Sequence, residues 1–298
     1  MARRQEIDAV RGFNRAVTES VGVLGARFLG RRRPPGESRL LWEIGPDGAD
    51  VRELRSRLGL DSGYVTRLLH SLAREGLVRV EAGADDCRVR RARLTSKGRT
   101  ERAVLDRRSN TLAAEILAPL NDRQRSTLVD AMSTVERLLR ASMVRFAVEN
   151  PRSADARWCI DQYFAELDAR FEAGFDPALT ISADARELTL PSGLLVVARL
   201  SGRAVGCGAL KLHGKGPAEL KRMWIAPDAR GLGIGARLLR ELEACASARG
   251  VRVVRLETNR TLREAIALYR RSGYVEVERF NDEPYAHHWF EKRVKATE

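Results

Sequence analysis

The sequence predicts two domains: a mainly helical one in the first half and an α+β one built on a mixed sheet in the second. The chain has 298 residues and a mass of 33.3 kDa, about twice the ~150 residues of an ordinary domain. Apolar residues recur at steps of three and four through the first half. Beyond residue 190 they gather into short runs bounded by glycine, as strands do. Charge is uneven as well. The net charge is +13, and residues 1–150 hold 29 Lys and Arg against 20 Asp and Glu. That excess suits a polyanionic partner to the first half.

Composition excludes several classes. With 44% hydrophobic and 31% charged residues the chain is not globally disordered. No stretch approaches the ~18–20 uncharged apolar residues of a membrane-spanning helix, and no secretory apolar segment follows Met1-Ala-Arg-Arg. The expected location is the cytoplasm, with no membrane partner. The four cysteines (Cys87, Cys159, Cys207, Cys245) lie at least 38 positions apart, so no metal site or disulfide framework is expected.

The elements follow in order. Val10, Phe13, Val17, Val21, Leu24 and Phe28 make one apolar stripe on a helix over 4–28, stopped by Pro34-Pro35-Gly36. A second helix covers 38–44, and Gly45-Pro-Asp-Gly48 is a loop. A short helix over 51–58 closes at Gly59, and another runs from Asp61 to Glu75 with Val65, Leu68, Leu69 and Leu72 inward. Two short helices with a glycine turn form a helix-turn-helix. Strands over 77–80 and 88–94 then flank a turn at 83–86, a hairpin with Arg88, Arg90, Arg91 and Arg93 near its tip. A hairpin so placed is a wing, whose guanidinium groups suit a minor groove or phosphates.

The stretches Asp61-Ser-Gly-Tyr-Val-Thr-Arg-Leu-Leu69, Gly76-Leu-Val78, Asp86-Cys-Arg88 and Leu94-Thr-Ser-Lys-Gly98 together resemble the MarR family of winged-helix regulators, over roughly residues 1–145. The resemblance implies a homodimer that lays the second helix of the motif in a major groove of double-stranded DNA at a near-palindromic operator. Ser62, Tyr64, Thr66 and Arg67 are then the groove candidates, and Arg88, Arg90 and Arg91 those of the wing. Arg67 suits guanine O6 and N7. Leu128, Met132, Val135, Leu139, Met143 and Phe146 form a stripe on a helix entered at Asn121-Asp122. It serves either the dimer or an internal core.

Glu149-Asn-Pro-Arg-Ser-Ala-Asp-Ala156 reads as the boundary, dividing the chain into 1–148, a linker 149–156, and 157–298. Strands are expected over 194–200, 204–212 and 218–225, a glycine-rich turn over 226–235, a helix to Gly250 and a strand over 251–256. A helix over 261–271 and strands over 274–279 and 287–293 complete the order. Glycines at a helix start let backbone N–H groups approach a phosphate. Hairpin strands ahead of the turn, and spacing other than Gly-x-Gly-x-x-Gly, disfavour a dinucleotide fold.

Residues 219–239, from Glu219-Leu-Lys-Arg-Met-Trp-Ile225 through Arg230-Gly-Leu-Gly-Ile-Gly235, resemble the acetyl-CoA-binding core of GNAT N-acetyltransferases. Leu256-Glu-Thr-Asn259 and Ala265-Ile-Ala-Leu-Tyr269-Arg-Arg-Ser-Gly-Tyr274 match the same family. The family's first strand is not evident over 157–177, which reads as helix. The resemblance implies an acyl-CoA N-acyltransferase fold, acetyl-CoA as cofactor, and direct attack of a primary amine of a small molecule or a protein. Backbone groups of Met223 and Ile225 would pair with pantetheine. Arg230, Gly231, Leu232, Gly233, Ile234, Gly235 and Ala236 would hold the diphosphate, and Asn259 would contact the cofactor. Tyr269 would protonate the leaving thiolate and a bulge amide near Met223 would bind the oxyanion.

Glu219 matches the family's general base or else pairs with Lys221 across the strand, and Glu257 is a further base candidate. Tyr269 also sits at helical spacing from Leu262 and Ile266, as a packing tyrosine would. His287 and His288 point to opposite strand faces and are read as structural or acceptor-side residues. Phe171, Phe175 and Tyr285 are pocket-wall candidates. The sequence leaves two roles open: an enzyme that also binds DNA, or a regulator whose second half senses acetyl-CoA without turnover.

Overall fold

The computed structural model describes residues 3–22, 29–30, 33–82, 90–181, 183–214 and 216–295. It divides into two compact units, Met1–Ser133 and Thr134–Glu298. No helix of the described residues is long and apolar enough to cross a membrane.

The first unit runs α1 (Arg4–Ser20), α2 (Pro35–Ile44), β1 (Ala49–Asp50), α3 (Val51–Leu58), α4 (Ser62–Arg74), β2 (Val78–Ala82), β3 (Arg90–Leu94), α5 (Ser96–Leu117) and the first part of α6 (Asp122–Ser142). Short-range chemistry sets the ends. The Asp50 carboxylate accepts from the Arg52 and Glu53 amides at the start of α3, and Gly59 ends that helix at φ 63°. Asp61 accepts from the Tyr64 amide at 2.9 Å to open α4. Leu40, Leu54, Leu72, Leu77 and Leu105 form one core. The antiparallel sheet has the order β1-β3-β2. Leu24, Phe28, the turn at 83–86 and Arg88 lie outside the described residues.

The second unit is built on a seven-stranded sheet. Its strands are β4 (Arg145–Glu149), β5 (Gly193–Leu200), β6 (Arg203–Lys211), β7 (Ala218–Ile225), β8 (Val253–Thr258), β9 (Val275–Val277) and β10 (His288–Arg293), in the spatial order β4-β5-β6-β7-β8-β10-β9. Every pair is antiparallel except β7–β8, which makes the sheet mixed. The helices are α7 (Ala154–Arg170), α8 (Ile234–Ser247) and α9 (Arg263–Arg271). Leu195 and Val197 of β5 join Ala156 and Cys159 of α7 in one cluster. Leu194 and Val196 join Leu238, Leu239 and Leu242 of α8 in the other, as strand alternation requires.

Two expectations change at the join. The stripe placed on one helix as far as Phe146 is split, because α6 ends at Ser142 and Phe146 lies in β4. The step from Met143 to Phe146 fits a helix, but Arg145–Glu149 instead pairs with β5, from Arg145↔Arg199 to Glu149↔Leu195. Residues 149–156, expected as a linker, hold the end of that strand and the first turn of α7, which the Ser153 hydroxyl caps at the Ala156 amide. The strand not evident over 157–177 therefore precedes the helix there.

Candidate active site and nucleic-acid interface

The site begins with a defect in β7. Lys221 pairs with Ala209 and Trp224 with Cys207, so Gly208 alone stands opposite Arg222 and Met223. Arg222 is left-handed at φ 54°, and the Cys207 thiol donates to its carbonyl at 3.2 Å. β7 pairs with β8 only at Ala218↔Val254 and Glu219↔Arg255. Beyond that point the two strands part, and two cavities open that share Tyr163, Met223 and Tyr269.

The larger cavity, about 640 Å³, runs along Met223 and Ile225 to the start of α8 and is lined there by Arg230, Gly231, Gly233, Ile234, Gly235 and Ala236. Leu232 does not line it and packs against the core instead. Gly233 caps α8 at φ 71° with no side-chain bond to the first turn, and Gly231 is left-handed at φ 76°, so both positions favour glycine. The first N–H groups of a 14-residue helix are thus left for a ligand. Arg230, Arg240, Arg271 and Lys292 add positive charge along the walls, and this donor set fits the diphosphate of a coenzyme A thioester. Arg230 also donates to the Ile225 carbonyl at 2.9 Å and to Glu166, which accepts from the Trp224 indole at 2.8 Å. Glu166 and Tyr163, absent from the sequence reading, come from one face of α7.

The smaller cavity, about 100 Å³, is walled by Phe171, Phe175 and Tyr285, together with Glu257, Asn259 and Arg222. Phe175 and Tyr285 lie 4.9 Å apart between ring centres. At the junction with the larger cavity, burial raises the Tyr269 phenol well above its usual value, with Tyr163 and Glu257 adding to the shift. Burial raises Tyr163 to about 12, against the pull of the Arg222 guanidinium.

The two carboxylates separate in space. Glu219 lines neither cavity; it accepts from Arg255 at 2.8 Å and lies 3.3 Å from His213 and 3.4 Å from Lys221. Burial alone would raise its pKa, but Arg255, Lys221 and His213 outweigh that and hold it below the usual carboxylate range. Lys221 bridges Glu219 to Glu257, and Glu257 faces the small cavity while accepting from the Asn281 amide at 3.3 Å. Asn259, expected at the cofactor, lines the small cavity and donates to the Tyr285 carbonyl at 2.8 Å. His288 contacts Glu276 at 2.6 Å, and neither it nor His287 lines either of these two cavities.

In the first unit, α4 buries Val65, Leu68, Leu69 and Leu72 and exposes Ser62, Tyr64, Thr66 and Arg67. The Arg67 guanidinium lies 5.6 Å from the centre of the Tyr64 ring, and Thr66 donates back to the Ser62 carbonyl. Arg90 and Arg91 are exposed on β3, where Arg91 and Arg93 both reach the Asp47 carbonyl. α1 and α6 have no buried residue; Val10 and Phe13 of the one, and Met132, Leu138 and Leu139 of the other, are exposed.

Comparison with known proteins finds an acetyltransferase (GNAT) domain over residues 191–276 and a MarR family match over residues 33–88. An IAA acetyltransferase of Azospirillum brasilense is 43% identical over 127 residues, 42% of this chain and 82% of that protein. The N-alpha-acetyltransferase RimI of Mycobacterium tuberculosis is 39% identical over 127 residues, 42% of this chain and 75% of that protein. Among solved structures, a putative acyl-CoA N-acyltransferase from Klebsiella pneumoniae is 30% identical at a TM-score of 0.42, covering 51% of this chain and 99% of that one.

Proposed function

The chain belongs to the GNAT acetyltransferase family and carries a MarR family segment ahead of that domain, and we propose that it is a DNA-binding regulator that also transfers an acetyl group from acetyl-CoA to an amine. The observation that carries the catalytic half is the position of Tyr269 and Met223 where the two cavities meet.

Acetyl-CoA, when bound, supplies a thioester open to attack by an amine. The first-turn amides of α8 hold the diphosphate, with Arg230 beside them. The Met223 amide, at the bulge, would donate to the carbonyl oxygen of a bound thioester. Tyr269, which burial keeps protonated, would give its proton to the departing thiolate. Glu257, which faces the small cavity, takes the proton of the attacking amine through water, and Glu219 holds Lys221 in place behind it. Glu257 is preferred to Glu219 as the base because, of the two, it alone lines one of these cavities.

Tyr269→Phe tests the assignment. Acetyl-CoA binding, measured by calorimetry, stays within twofold of the unmodified protein, while amine-dependent thiol release falls by ~10²–10⁴. An unchanged rate removes Tyr269 as the acid. Saturable acetyl-CoA binding with no turnover of any amine would instead favour the sensing role. The exposed face of α4 and the arginines of β3 contact DNA, and the exposed apolar faces of α1 and of α6 each serve pairing of two chains into a homodimer.

A further inference from the structure

Arg222 lines the small cavity, and no carboxylate contacts it among the described residues. Glu257 is engaged by Lys221 and Asn281, and the Glu283 carboxylate accepts from the Ile181 amide at 2.9 Å and the Tyr285 amide at 3.4 Å. Among the described residues Arg222 has no carboxylate partner, and its Nε is buried without a hydrogen bond. Its guanidinium lies 4.5 Å from the centre of the Phe164 ring and 6.0 Å from that of Tyr163. Stacking on a ring face occupies the plane of a guanidinium and leaves its edge N–H groups for an anion, which it can bind with two parallel bonds.

The backbone puts it there. Arg222 is the left-handed residue of the β7 bulge, anchored by the Cys207 thiol, and it directly precedes Met223, which both cavities share. A ligand held by this guanidinium is therefore held next to the junction. A half-buried cation with no carboxylate in contact is unfavourable in the free protein, and a carboxylate on the acceptor would satisfy it. Phe171, Phe175 and Tyr285 supply an apolar wall for the rest of the molecule.

Building on the acetyltransferase reading above, we propose that the acceptor is an amino-acid-like amine: a primary amine with a carboxylate a few bonds away and an apolar body, the carboxylate gripped by Arg222. Arg222 is thus a specificity-determining residue and takes no part in proton transfer.

The test is a thiol-release screen of the twenty standard amino acids against the amines that their decarboxylation gives, with the unmodified protein, Arg222→Met and Arg222→Lys. Calorimetry of acetyl-CoA and of 3-phenylpropionate, which has a ring and a carboxylate but no amine, runs alongside. For at least one apolar amino acid, kcat/KM in the unmodified protein exceeds that of its matched amine by ~10–100-fold. Arg222→Met abolishes that preference, Arg222→Lys keeps part of it, and both retain acetyl-CoA binding. 3-Phenylpropionate binds the unmodified protein and not Arg222→Met, which reads the guanidinium even where turnover is slow. Equal use of acids and matched amines overturns the proposal, as does equal 3-phenylpropionate heat in the protein and Arg222→Met. So does the absence of both turnover and 3-phenylpropionate heat in a protein that binds acetyl-CoA. Failure of the unmodified protein to bind acetyl-CoA falls on the acetyltransferase reading instead.

Discussion

Glu219 and Glu257 are both carboxylates on neighbouring strands, and their environments give them different work. Glu219, 5% exposed, sits among Arg255, Lys221 and His213, which is the ion-pair alternative that the sequence left open for it. Its pKa is lower in the fold than the ordinary value of 4.5, so its pairing stabilises the protein above that value and loses effect as pH falls through the folded pKa. Glu219→Gln should cost roughly 3 kcal/mol or more at pH 7, because Lys221 and Arg255 lose a buried partner. The penalty should shrink as the pH drops below 4.5. Urea unfolding at the two pH values measures it, and a pH-independent difference rejects the ionic role. Residue types alone did not separate the two carboxylates, since Glu, Lys and Glu at 219, 221 and 257 are compatible with either one facing the cavity. Tyr163 and Glu166 went unread for a different reason. The helix read over 157–177 is present as far as Arg170, with 171–177 non-helical, but its cavity face was not legible, although Tyr163, Glu166, Leu167 and Arg170 at steps of three and four carry that signal.

At the scale of elements, the clearest sequence signals are those whose cause is local. Thr95 and Gly98 illustrate this. The Thr95 hydroxyl accepts from the Gly98 amide at 3.0 Å and donates to the Gly76 carbonyl at 2.7 Å, tying the start of α5 to the end of α4. A Cβ on Gly98 would lie 2.0 Å from the Leu77 carbonyl oxygen. That contact is with backbone, so it cannot be relieved by a rotamer change. Gly98→Ala should therefore lower the stability of the first unit by roughly 1–3 kcal/mol, seen as a lower thermal midpoint by circular dichroism; an unchanged midpoint would show that α5 shifts freely. β4 is the opposite case. Its five residues contain no turn signal, and Phe146 continues a helical step from Met143. Pairing with β5, some fifty residues on, makes it a strand, and that partner leaves no trace in the local pattern.

At the scale of the whole molecule, α1 and α6 carry large exposed apolar side chains. Val10 is 59% exposed, Phe13 44% and Leu139 56%, an amount of apolar surface that is costly to leave in water. Pairing of two chains through these helices predicts a dimer in solution. Phe13→Asp combined with Leu139→Asp should convert it to a monomer by sedimentation and weaken binding to a DNA duplex selected from random sequence. A mass equal to that of the unmodified protein would reject this interface. The net charge of +13 acts at the same scale, drawing the protein towards polyanions whatever their sequence.

Local sequence signals were enough for the two-part plan, the order of strands and helices after residue 190, α4 with Ser62, Tyr64, Thr66 and Arg67 on its exposed face, and the glycine turn before α8. Each depends on residues a few positions apart, through capping, periodicity or the conformational freedom of glycine. Long-range packing settled which of Glu219 and Glu257 faces the small cavity, that Asn259 lines that cavity and not the larger one, that Glu166 braces Trp224 and Arg230, and that Arg222 has no carboxylate in contact among the described residues. Those outcomes depend on partners far apart in the chain, 36 residues for Lys221 and Glu257 and 58 for Glu166 and Trp224. Strand register, one bulge and the parting of β7 from β8 bring such partners together or keep them apart, and each is settled by packing across the whole sheet.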